Sequence, residues 1–275
     1  MEYIIKHASD YSPLEVANLL TRSFEGYFVP INVDETAFLQ MVRRDDVDPA
    51  SSRVIVLADN TPVGVELIAR RGWTSRVAAM GVIAEWRSKG AGNFLMAHLT
   101  EEARERGDHA LELEVIEQNL PAIRLYENFG FKKVRRLVSF VSENPAVFGN
   151  EQLEEIDIRE LARMIAVHGF PDLPWQVSAE TIAQFTPPAR AFRSGPAYAL
   201  ISNPNVEQIN FYSLLVEKDS RRQGKAGGLV QAILAAYPGK TWHVPAIAPE
   251  EVGMVFSNMG FNRDVLSQWQ MKLDL

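Results

Sequence analysis

The residues best suited to ligand binding lie in one segment. In it a predicted strand is followed by an arginine, a glycine-rich turn and a helix. The segment, residues 82–95, reads VIAEWRSKGAGNFL and places Arg87, Gly90 and Gly92 just before the helix. Glycines let a ligand approach the backbone closely, and the amides at a helix start point outward with the positive end of the helix dipole behind them. Such a turn can hold a pyrophosphate group. The alternative is a turn that only joins two elements; a Walker loop is excluded, because Gly-x-x-x-x-Gly-Lys-Ser/Thr is absent.

A second segment further along the chain makes the glycine-rich turn more specific. Together the two segments resemble the GNAT superfamily of acyltransferases. The cofactor loop of that family has the form Arg/Gln-x-x-Gly-x-Gly/Ala, and its downstream helix carries an Asn, an Ala, a Leu-Tyr pair and a Gly-Phe pair. The matching residues here are Arg87, Gly90 and Gly92 in the loop, and Asn119, Ala122, Leu125, Tyr126, Gly130 and Phe131 in the helix. The resemblance covers most of residues 1–142 and is strongest from Val77 onward.

The resemblance implies that the first half of the chain binds acetyl-CoA. The strand ending at Val82 would present backbone groups to the pantetheine arm and the thioester, and Asn119 would bind the arm or order the helix turn. The residues of the loop assigned to the cofactor are Arg87, Ser88, Lys89, Gly90, Ala91, Gly92 and Asn93. A neutral amine would attack the thioester carbonyl, and the Val82 amide would stabilise the developing oxyanion. One such donor is worth roughly 3–4 kcal/mol, and proximity supplies much of the rest.

Two side chains are candidate catalytic groups, Tyr126 and Glu66. The resemblance implies that Tyr126 is the general acid at the cofactor sulfur, and a phenol, with a pKa of about 10, is protonated at neutral pH. Taken alone, the local sequence is more typical of a core aromatic residue. Glu66 lies in the apolar strand segment 63–68, where burial raises the pKa of a carboxyl toward that of a general base. A solvent-facing position is the alternative for Glu66.

The loop 24–30 is the candidate wall of the acceptor site. It contains Glu25, a second candidate base, and the aromatic residues Tyr27 and Phe28. The resemblance implies the acceptor role, while loop aromatics also often serve packing alone. Basic residues cluster at 70–71 and 132–136, and a solvated strand face is the usual explanation for such pairs.

Bulk composition excludes several classes of protein. The 275 residues are 47% hydrophobic and 23% charged, which is ordinary globular composition, and the formal net charge of -7 argues against nucleic acid or an anionic membrane as partner. Cysteine is absent, which removes disulfides and thiolate chemistry. The five histidines, at 7, 98, 109, 168 and 243, have no metal-ligand spacing, so no metal is expected. No apolar signal core opens the chain and no stretch reaches the roughly 20 apolar residues of a membrane span, which predicts a cytoplasmic protein.

The order of predicted elements indicates an α+β (mixed α/β) fold of two tandem GNAT-like domains. Each would be a mixed, largely antiparallel, splayed sheet flanked by helices. A catalytic GNAT N-acetyltransferase domain is expected at 1–142 and a linker at 143–150, where turn residues lack periodicity. A degenerate GNAT-like domain, structural or regulatory, is expected at 151–275.

The second half is predicted not to catalyse. Its turn, RRQGKA at 221–226, still fits the cofactor-loop pattern. Aligning the Gly-Phe pair at 260–261 with that at 130–131 places Phe256 on Tyr126 and Pro249 on Asn119, so the hydroxyl and the amide are both lost. The economical interpretation is a half that packs on the first like a dimer partner, in a monomer with an internal pseudo-dimer. A second ligand site used for regulation is the alternative.

The expected function is therefore an acetyl-CoA-dependent N-acetyltransferase that acts on a primary amine of a small molecule or peptide. The main alternative is a catalytically silent regulatory module that binds acyl-CoA. A nucleic-acid-associated protein that uses the basic cluster is a third reading, and the overall acidity counts against it. No motif selects the acceptor, since the family acts on antibiotics, polyamines, amino acids, peptides and protein termini.

Overall fold

The computed structural model describes residues 2–143, 145, 147 and 152–275. It divides into two compact units, one made of residues 1–134 with 270–275 and the other of residues 135–269. The sequence predicted a boundary at 143–150, so the division differs in two places: residues 135–142 count with the second unit and residues 270–275 with the first. Of the expected linker, residues 144, 146 and 148–150 lie outside the described residues.

The first unit is a sheet flanked by four helices. Its helices and strands are β1 (Ile4–His7), α1 (Pro13–Ser23), α2 (Glu35–Asp45), β2 (Arg53–Val56), β3 (Pro62–Arg71), β4 (Thr74–Val82), α3 (Ala91–Arg106), β5 (Ala110–Ile116) and α4 (Leu120–Asn128). Strands β1 to β4 form an antiparallel meander, and β5 pairs in parallel with β4. The end of the chain completes this sheet: the Leu275 amide donates to the His109 carbonyl at 3.0 Å.

The second unit repeats the order of elements of the first. Its helices and strands are β6 (Lys132–Ser142), β7 (Glu154–Ile156), α5 (Ile158–His168), α6 (Ala179–Ala183), β8 (Arg190–Ser194), β9 (Ala197–Ile201), β10 (Gln208–Val216), α7 (Lys225–Ala236), β11 (Thr241–Pro249), α8 (Glu250–Asn258) and β12 (Asn262–Asp274), with the ends of β6 and β12 assigned to the first unit. From β7 onward, each element corresponds to one in the series from β1. The predicted fold class of mixed sheets flanked by helices, in two tandem units, is confirmed.

Strand β6 explains why the boundary differs from the expected one. It follows α4 in sequence, yet it pairs antiparallel with β11, with Phe140 opposite Val244 and Ser142 opposite Trp242. The neighbour of a strand is determined by cross-strand pairing and by which face of the strand is buried. A pattern that is local in sequence predicts neither of these. Turn composition alone therefore put the boundary too late.

Local sequence accounts for most helix ends. Ser12 caps α1 in a capping box with Glu15, and Pro13 occupies the first turn. Asp34 caps α2, and Gly107, with φ at 79°, ends α3. Hydrophobic periodicity and turn residues predict helices at 13–24, 34–44, 90–106 and 120–129, and α1 to α4 agree with these ranges to within a residue or two at each end. The same patterns do not predict β7, β8 or β11.

Each unit has its own apolar core. In the first unit, α3 covers one face of the sheet through Ala91 and Leu95, which pack on Ile55 and Val63. In the second unit, Trp242 and Phe211 stack with ring centroids 4.9 Å apart inside an apolar cluster. Trp175 is buried as well, so both tryptophans serve packing in their unit.

Candidate active site

The candidate site of the first unit begins where strands β4 and β5 separate. Their parallel ladder runs from Thr74 opposite Ala110 to Val77 opposite Leu113 and extends no further. Beyond that point β4 continues to Val82 with only β3 beside it. Splayed strands expose unpaired backbone groups to whatever lies in the gap, so the carboxyl end of β4 is available to a ligand.

The Val82 amide points into this gap. The Ile83 amide donates to the Val63 carbonyl at 2.9 Å, which makes Ile83 and Val63 a hydrogen-bonded pair of the antiparallel ladder. The neighbouring pair, Val82 and Gly64, must then be non-hydrogen-bonded, with the Val82 N–H directed away from β3. This is the position that the sequence assigned to the oxyanion donor.

The glycine-rich loop leads from β4 into α3 with an open, donor-rich backbone. Ser88 and Gly90 have φ of 59° and 88°, and a Cβ built on Gly90 would meet nothing within 4 Å. The Phe94 amide makes the first bond of the helix, to the Gly90 carbonyl at 3.0 Å. The amides of the first turn, Ala91 to Asn93, therefore lack acceptors within the helix. Along this turn the residues change from buried at Ala91 to exposed at Asn93.

Arg87 has a different task from the phosphate contact that its place in the loop suggested. Its guanidinium donates to three backbone carbonyls: Nε to Val82 at 3.0 Å, and Nη2 to Ser23 at 3.1 Å and Glu25 at 2.8 Å. The side chain thus ties the end of β4 to the end of α1 and the loop that follows. Gly81 permits this approach, since a Cβ there would lie 2.8 Å from the Ser23 Cβ.

Asn119 and Tyr27 meet at the start of α4. The Asn119 Oδ1 caps the helix by accepting from the Ala122 amide at 3.3 Å. Burial raises the pKa of Tyr27, and a hydrogen bond between the Asn119 side chain and the Tyr27 hydroxyl opposes part of that rise. Of the two roles expected for Asn119, ordering the helix turn is the one its contacts support.

Tyr126 lies inside the unit, on α4. Its side chain is buried, and burial raises its pKa well above the ordinary value of 10, with further upward effects from Tyr27 and Glu66. Its ring packs on Phe131, with centroids 5.9 Å apart. The phenol therefore keeps its proton throughout the neutral range, as a hydrogen-bond donor must.

Glu66 is the most unusual carboxyl group of the unit. It is 0% exposed on β3, and neither carboxyl oxygen has a hydrogen-bond partner in the structure. Burial raises its pKa to about 8; Glu102 adds to the rise, and Arg53 and Arg106 oppose it. The group is thus largely protonated at pH 7, but its enclosure leaves no direct path to an acceptor amine.

Comparison with known proteins identifies the fold around these residues. Residues 14–131 match the model of the Acetyltransferase (GNAT) family. The matched segment contains every candidate site residue described above. The first unit is a GNAT domain. A curated relative, streptothricin acetyltransferase from Streptomyces lavendulae, is 38% identical over 88 residues, which cover 30% of this chain and 47% of that protein. The chain thus matches about half the length of this relative.

Solved structures extend the likeness to both units. A GCN5-related N-acetyltransferase from Sphaerobacter thermophilus has a TM-score of 0.70 at 14% identity, covering 99% of this chain and 95% of its own. A tandem GNAT protein from the clavulanic acid biosynthesis pathway has a TM-score of 0.66 at 17% identity, covering 99% and 98%. At such low identity these structures establish the fold only.

The loop after α1 supplies an aromatic surface to the GNAT domain. Phe24 and Tyr27 pack edge to face with centroids 5.0 Å apart, and Tyr27 and Phe28 do so at 5.3 Å. Phe28 is 52% exposed, and Glu25 is exposed too. Through Tyr27 this surface reaches Asn119, so the loop adjoins the candidate site.

The basic pairs of the sequence are engaged in ion pairs. Arg70 lies near Asp48 and Asp108, and Arg71 contacts Asp46 at 2.6 Å. In the second unit, Arg135 bonds Asp172 and Arg136 lies 3.5 Å from Glu250. The expected solvated strand face does not describe Arg71 and Arg135, whose side chains are only 16% and 12% exposed and lie in ion pairs. Within the part of the chain that the structure describes, three or more His, Asp or Glu side chains nowhere gather as metal ligands would, and no helix is long and apolar enough to cross a membrane.

The second unit repeats the loop of the GNAT domain but not its polar side chains. Arg221 donates through Nε to the Val216 carbonyl at 3.2 Å and through Nη2 to His168, the last residue of α5. Arg87 likewise donates to the carbonyls of the preceding strand and of the end of α1. The sequence analysis did not predict this role for either arginine. The recurrence of an arginine at the same place in both halves was the signal that its role serves the fold of each unit rather than catalysis.

Proposed function

We propose that the GNAT domain transfers an acetyl group from acetyl-CoA to a primary amine by direct attack on the thioester. The observation that supports the proposal is that one unit holds a strand end with the Val82 N–H directed away from β3, an open loop between that strand and α3, and the buried phenol of Tyr126. The loop offers N–H donors for a phosphate chain. The Val82 N–H offers a donor for the reacting carbonyl, and the Tyr126 hydroxyl offers one for the leaving group.

The residues of the loop fit the proposed co-substrate. A pyrophosphate requires several convergent N–H donors and room for close approach, and the backbone before Phe94 supplies both, with open space in front of Gly90. The unpaired edge of β4 suits the amide groups of a pantetheine arm. When bound, acetyl-CoA supplies an activated acyl carbonyl and a thiolate leaving group.

Two groups of the chain then act on the reacting atoms. The Val82 N–H donates to the carbonyl oxygen as negative charge develops on it. The Tyr126 hydroxyl donates a hydrogen bond to the departing sulfur and passes its proton as the bond to sulfur breaks. The raised pKa of Tyr126 makes early proton transfer unfavourable, so its main contribution is the hydrogen bond in a site that burial keeps dry.

Two carboxyl groups are candidates for the general base, Glu66 and Glu25. Glu66 has a pKa of about 8, which suits proton exchange near neutral pH. Because the carboxyl is fully enclosed, it acts on an acceptor amine only through a relay of water or hydroxyl groups. Glu25 is exposed beside the aromatic surface and is the alternative that needs no relay.

Streptothricin is the first acceptor to test, because the curated relative carries that name. The experiment incubates the full chain with acetyl-CoA and streptothricin, then with pools of polyamines, amino acids and peptides, and follows released thiol. Tyr126→Phe serves as the matched control, since it removes one hydroxyl. Thiol release with an amine, greatly reduced in the control, supports the proposal.

Binding without turnover defines the competing function. If calorimetry detects acetyl-CoA binding at the loop of the first unit while every amine pool leaves it intact, the domain is a silent acyl-CoA-binding module. If the first unit binds no coenzyme A at all, both functions fail.

A further inference from the structure

The loop between α1 and α2 is closed at its base by one side chain. Thr21 Oγ1, in the last turn of α1, donates to the Val33 carbonyl at 3.3 Å and accepts from the Val33 amide at 3.0 Å. These bonds bring the two ends of the loop together. Asp34 and Glu35, which follow Val33 and begin α2, therefore lie beside the end of α1.

The surface of this loop combines an exposed aromatic ring with carboxylates. The ring of Phe28 is exposed and packs edge to face on Tyr27. Glu25 and Glu35 are exposed as well, and residues 23–42 contain no lysine or arginine. The face of an aromatic ring attracts a cation, and unpaired carboxylates attract one over a longer range. The loop is thus suited to bind positive charge.

The corresponding loop of the second unit already holds two cations from the chain itself. It follows α5 and contains Phe170, and the guanidinium groups of Arg135 and Arg221 lie 5.5 Å and 5.1 Å from the centroid of that ring. Arg135 also donates to the carboxylate of Asp172 at 2.9 Å. In this copy of the fold, an aromatic ring and a carboxylate of the loop together bind guanidinium groups.

The loop of the GNAT domain has the same two kinds of group without the cations. The counterpart of Arg221 is Arg87, which donates to the carbonyl of Glu25 rather than to its carboxylate. Among the residues that the structure describes, no lysine or arginine side chain lies over the ring of Phe28. A ligand can therefore supply the positive charge that the chain supplies in the second unit.

The loop adjoins the groups assigned to the reaction. The Tyr27 hydroxyl bonds the side chain of Asn119, the N-cap of α4. Tyr126 lies about two turns further along that helix, or about 10 Å along its axis. A molecule whose reacting nitrogen lies near Tyr126 can extend to the loop with a second group on the order of 10 Å away.

We propose that the acceptor of the GNAT domain is an amine that carries a second ammonium or guanidinium group, and that Phe28, Glu25 and Glu35 bind this second charge. The inference rests on the proposed acetyl transfer for the reacting nitrogen, and it names the class of acceptor: polyamines and related polycations rather than amino acids or amines with a neutral tail. The second charge takes no part in bond making. Its contacts therefore set the KM of the acceptor and leave the chemical step unchanged.

Pairs of amines that differ by one charge test the proposal on the full chain. α,ω-Diamines of three to eight carbons are compared with monoamines of the same lengths. At the best length, kcat/KM should favour the diamine by about fivefold to thirtyfold, mainly through KM, which is the effect of a cation on an aromatic face. The preference should shrink at high salt.

Variants of Phe28 show whether the ring is responsible for this preference. Phe28→Leu keeps an apolar side chain but removes the ring, so it should lower kcat/KM for the diamine by about fivefold or more and leave the monoamine unaffected. Phe28→Tyr should retain the preference. Phe170→Leu, which removes a ring from the corresponding loop of the second unit, is the matched control and should retain it too. An equal loss for both amines in Phe28→Leu overturns the binding role of the ring.

Glu25→Gln separates the charge of this residue from its candidate role as a base. Loss of a charge raises the KM for the diamine alone, whereas loss of a base lowers kcat for both amines. The first result supports the proposal. The second overturns the part of Glu25 in binding.

Hydrogen exchange provides a measurement that needs no turnover. With coenzyme A present, a diamine should slow exchange at 24–35 in the wild type and not in Phe28→Leu, and the monoamine of the same length should slow it in neither. If no amine is acetylated but this protection occurs, the proposed function fails and the cation-binding surface stands. If both kinds of amine are acetylated with equal kcat/KM and the diamine gives no protection, the proposed function stands and this inference is overturned.

Discussion

Tyr126 and Phe256 accept the same backbone hydrogen bond in their two units. The Phe131 amide reaches the Tyr126 carbonyl at 3.1 Å, and the Phe261 amide reaches the Phe256 carbonyl at 3.1 Å. Each ring also packs on the phenylalanine that follows the glycine, with centroids 5.9 Å and 5.3 Å apart. The two helix ends share one local structure, and the aligned side chains differ by a hydroxyl group. The fold of this turn therefore does not require the hydroxyl of Tyr126.

Replacing Tyr126 by Phe should reduce acetyl transfer and leave the fold intact. The loss is expected to be about 100-fold to 10,000-fold if leaving-group assistance limits the rate, with coenzyme A affinity nearly unchanged. Single-turnover rates from pH 6 to 9 measure the effect, and Tyr11→Phe, on a residue outside the candidate site, is the control. A variant that keeps the full rate across this range contradicts the acid role.

Asn93→Glu should weaken coenzyme A binding without destabilising the chain. Asn93 is exposed in the first turn of α3. A carboxylate there interacts favourably with the helix dipole but repels a pyrophosphate. We expect a loss of affinity of at least tenfold that shrinks at high salt, and no fall in melting temperature. Asn93→Gln is the neutral control; equal affinities in the two variants would place the phosphates elsewhere.

Arg87→Lys should impair acceptor recognition more than cofactor binding. A lysine cannot reproduce the fork that joins the carbonyls of Val82, Ser23 and Glu25. The loop with Tyr27 should loosen, seen as faster hydrogen exchange at 24–28 and a severalfold higher KM for the amine. The same change at Arg221 is the control and should leave this KM alone. Loss of coenzyme A affinity in Arg87→Lys, with unchanged exchange, would instead assign the side chain to the phosphates.

Two substitutions separate the roles of Asn119. Asn119→Asp keeps an oxygen that caps α4 but loses the amide that binds the Tyr27 hydroxyl, whereas Asn119→Ala loses both. Loss of the cap should cost about 1 kcal/mol of stability, so only the alanine variant should melt earlier. Both should raise the KM for the amine if the bond to Tyr27 orders the acceptor side; normal kinetics in both would limit Asn119 to its capping role.

Glu66 should make the free energy of unfolding fall as pH rises. Its pKa is about 8 in the folded chain and near 4.5 when unfolded, so between these values the native state binds more protons than the unfolded state. Stability from this group is fully present below pH 4.5 and is lost as pH rises through 8. Glu66→Gln mimics the protonated form and should flatten the profile of melting temperature between pH 5 and 9.

Activity in the same Glu66→Gln protein decides its chemical role. If transfer stops while stability at pH 8 rises, Glu66 relays the proton of the acceptor amine. If transfer continues at the wild-type rate, the carboxyl is structural and the base must be sought at Glu25. A melting profile as steep as that of the wild type would contradict the raised pKa itself.

Patterns local in sequence predicted the helices and the glycine loops well. Ser12 with Pro13, and Gly107, mark helix ends through contacts within a few residues, so the sequence contains the whole cause. The positive φ of Gly90 and Gly224 likewise follows from residue type. Such features can be predicted from sequence because they depend only on residue type and on contacts with near neighbours in the chain.

Features that depend on distant partners escaped prediction. Arg87 was expected at the phosphates, since the carbonyls of Ser23 and Glu25 that it binds lie far away in sequence. The enclosure of Glu66 comes from α3 and the neighbouring strands.

Residues 270–275 belong to the first unit, so that unit cannot be completed until the second unit has been synthesised. A ribosome releases the amino-terminal residues first, and domains commonly fold as they emerge. Here the sheet of the first unit stays one strand short until residues 270–275 have been translated. A fragment of residues 1–142 would also lack that strand, while keeping the segment 135–142 that belongs with β11. Dissection of this protein therefore calls for point variants of the intact chain, or for a fragment that joins residues 270–275 to the first unit in place of 135–142.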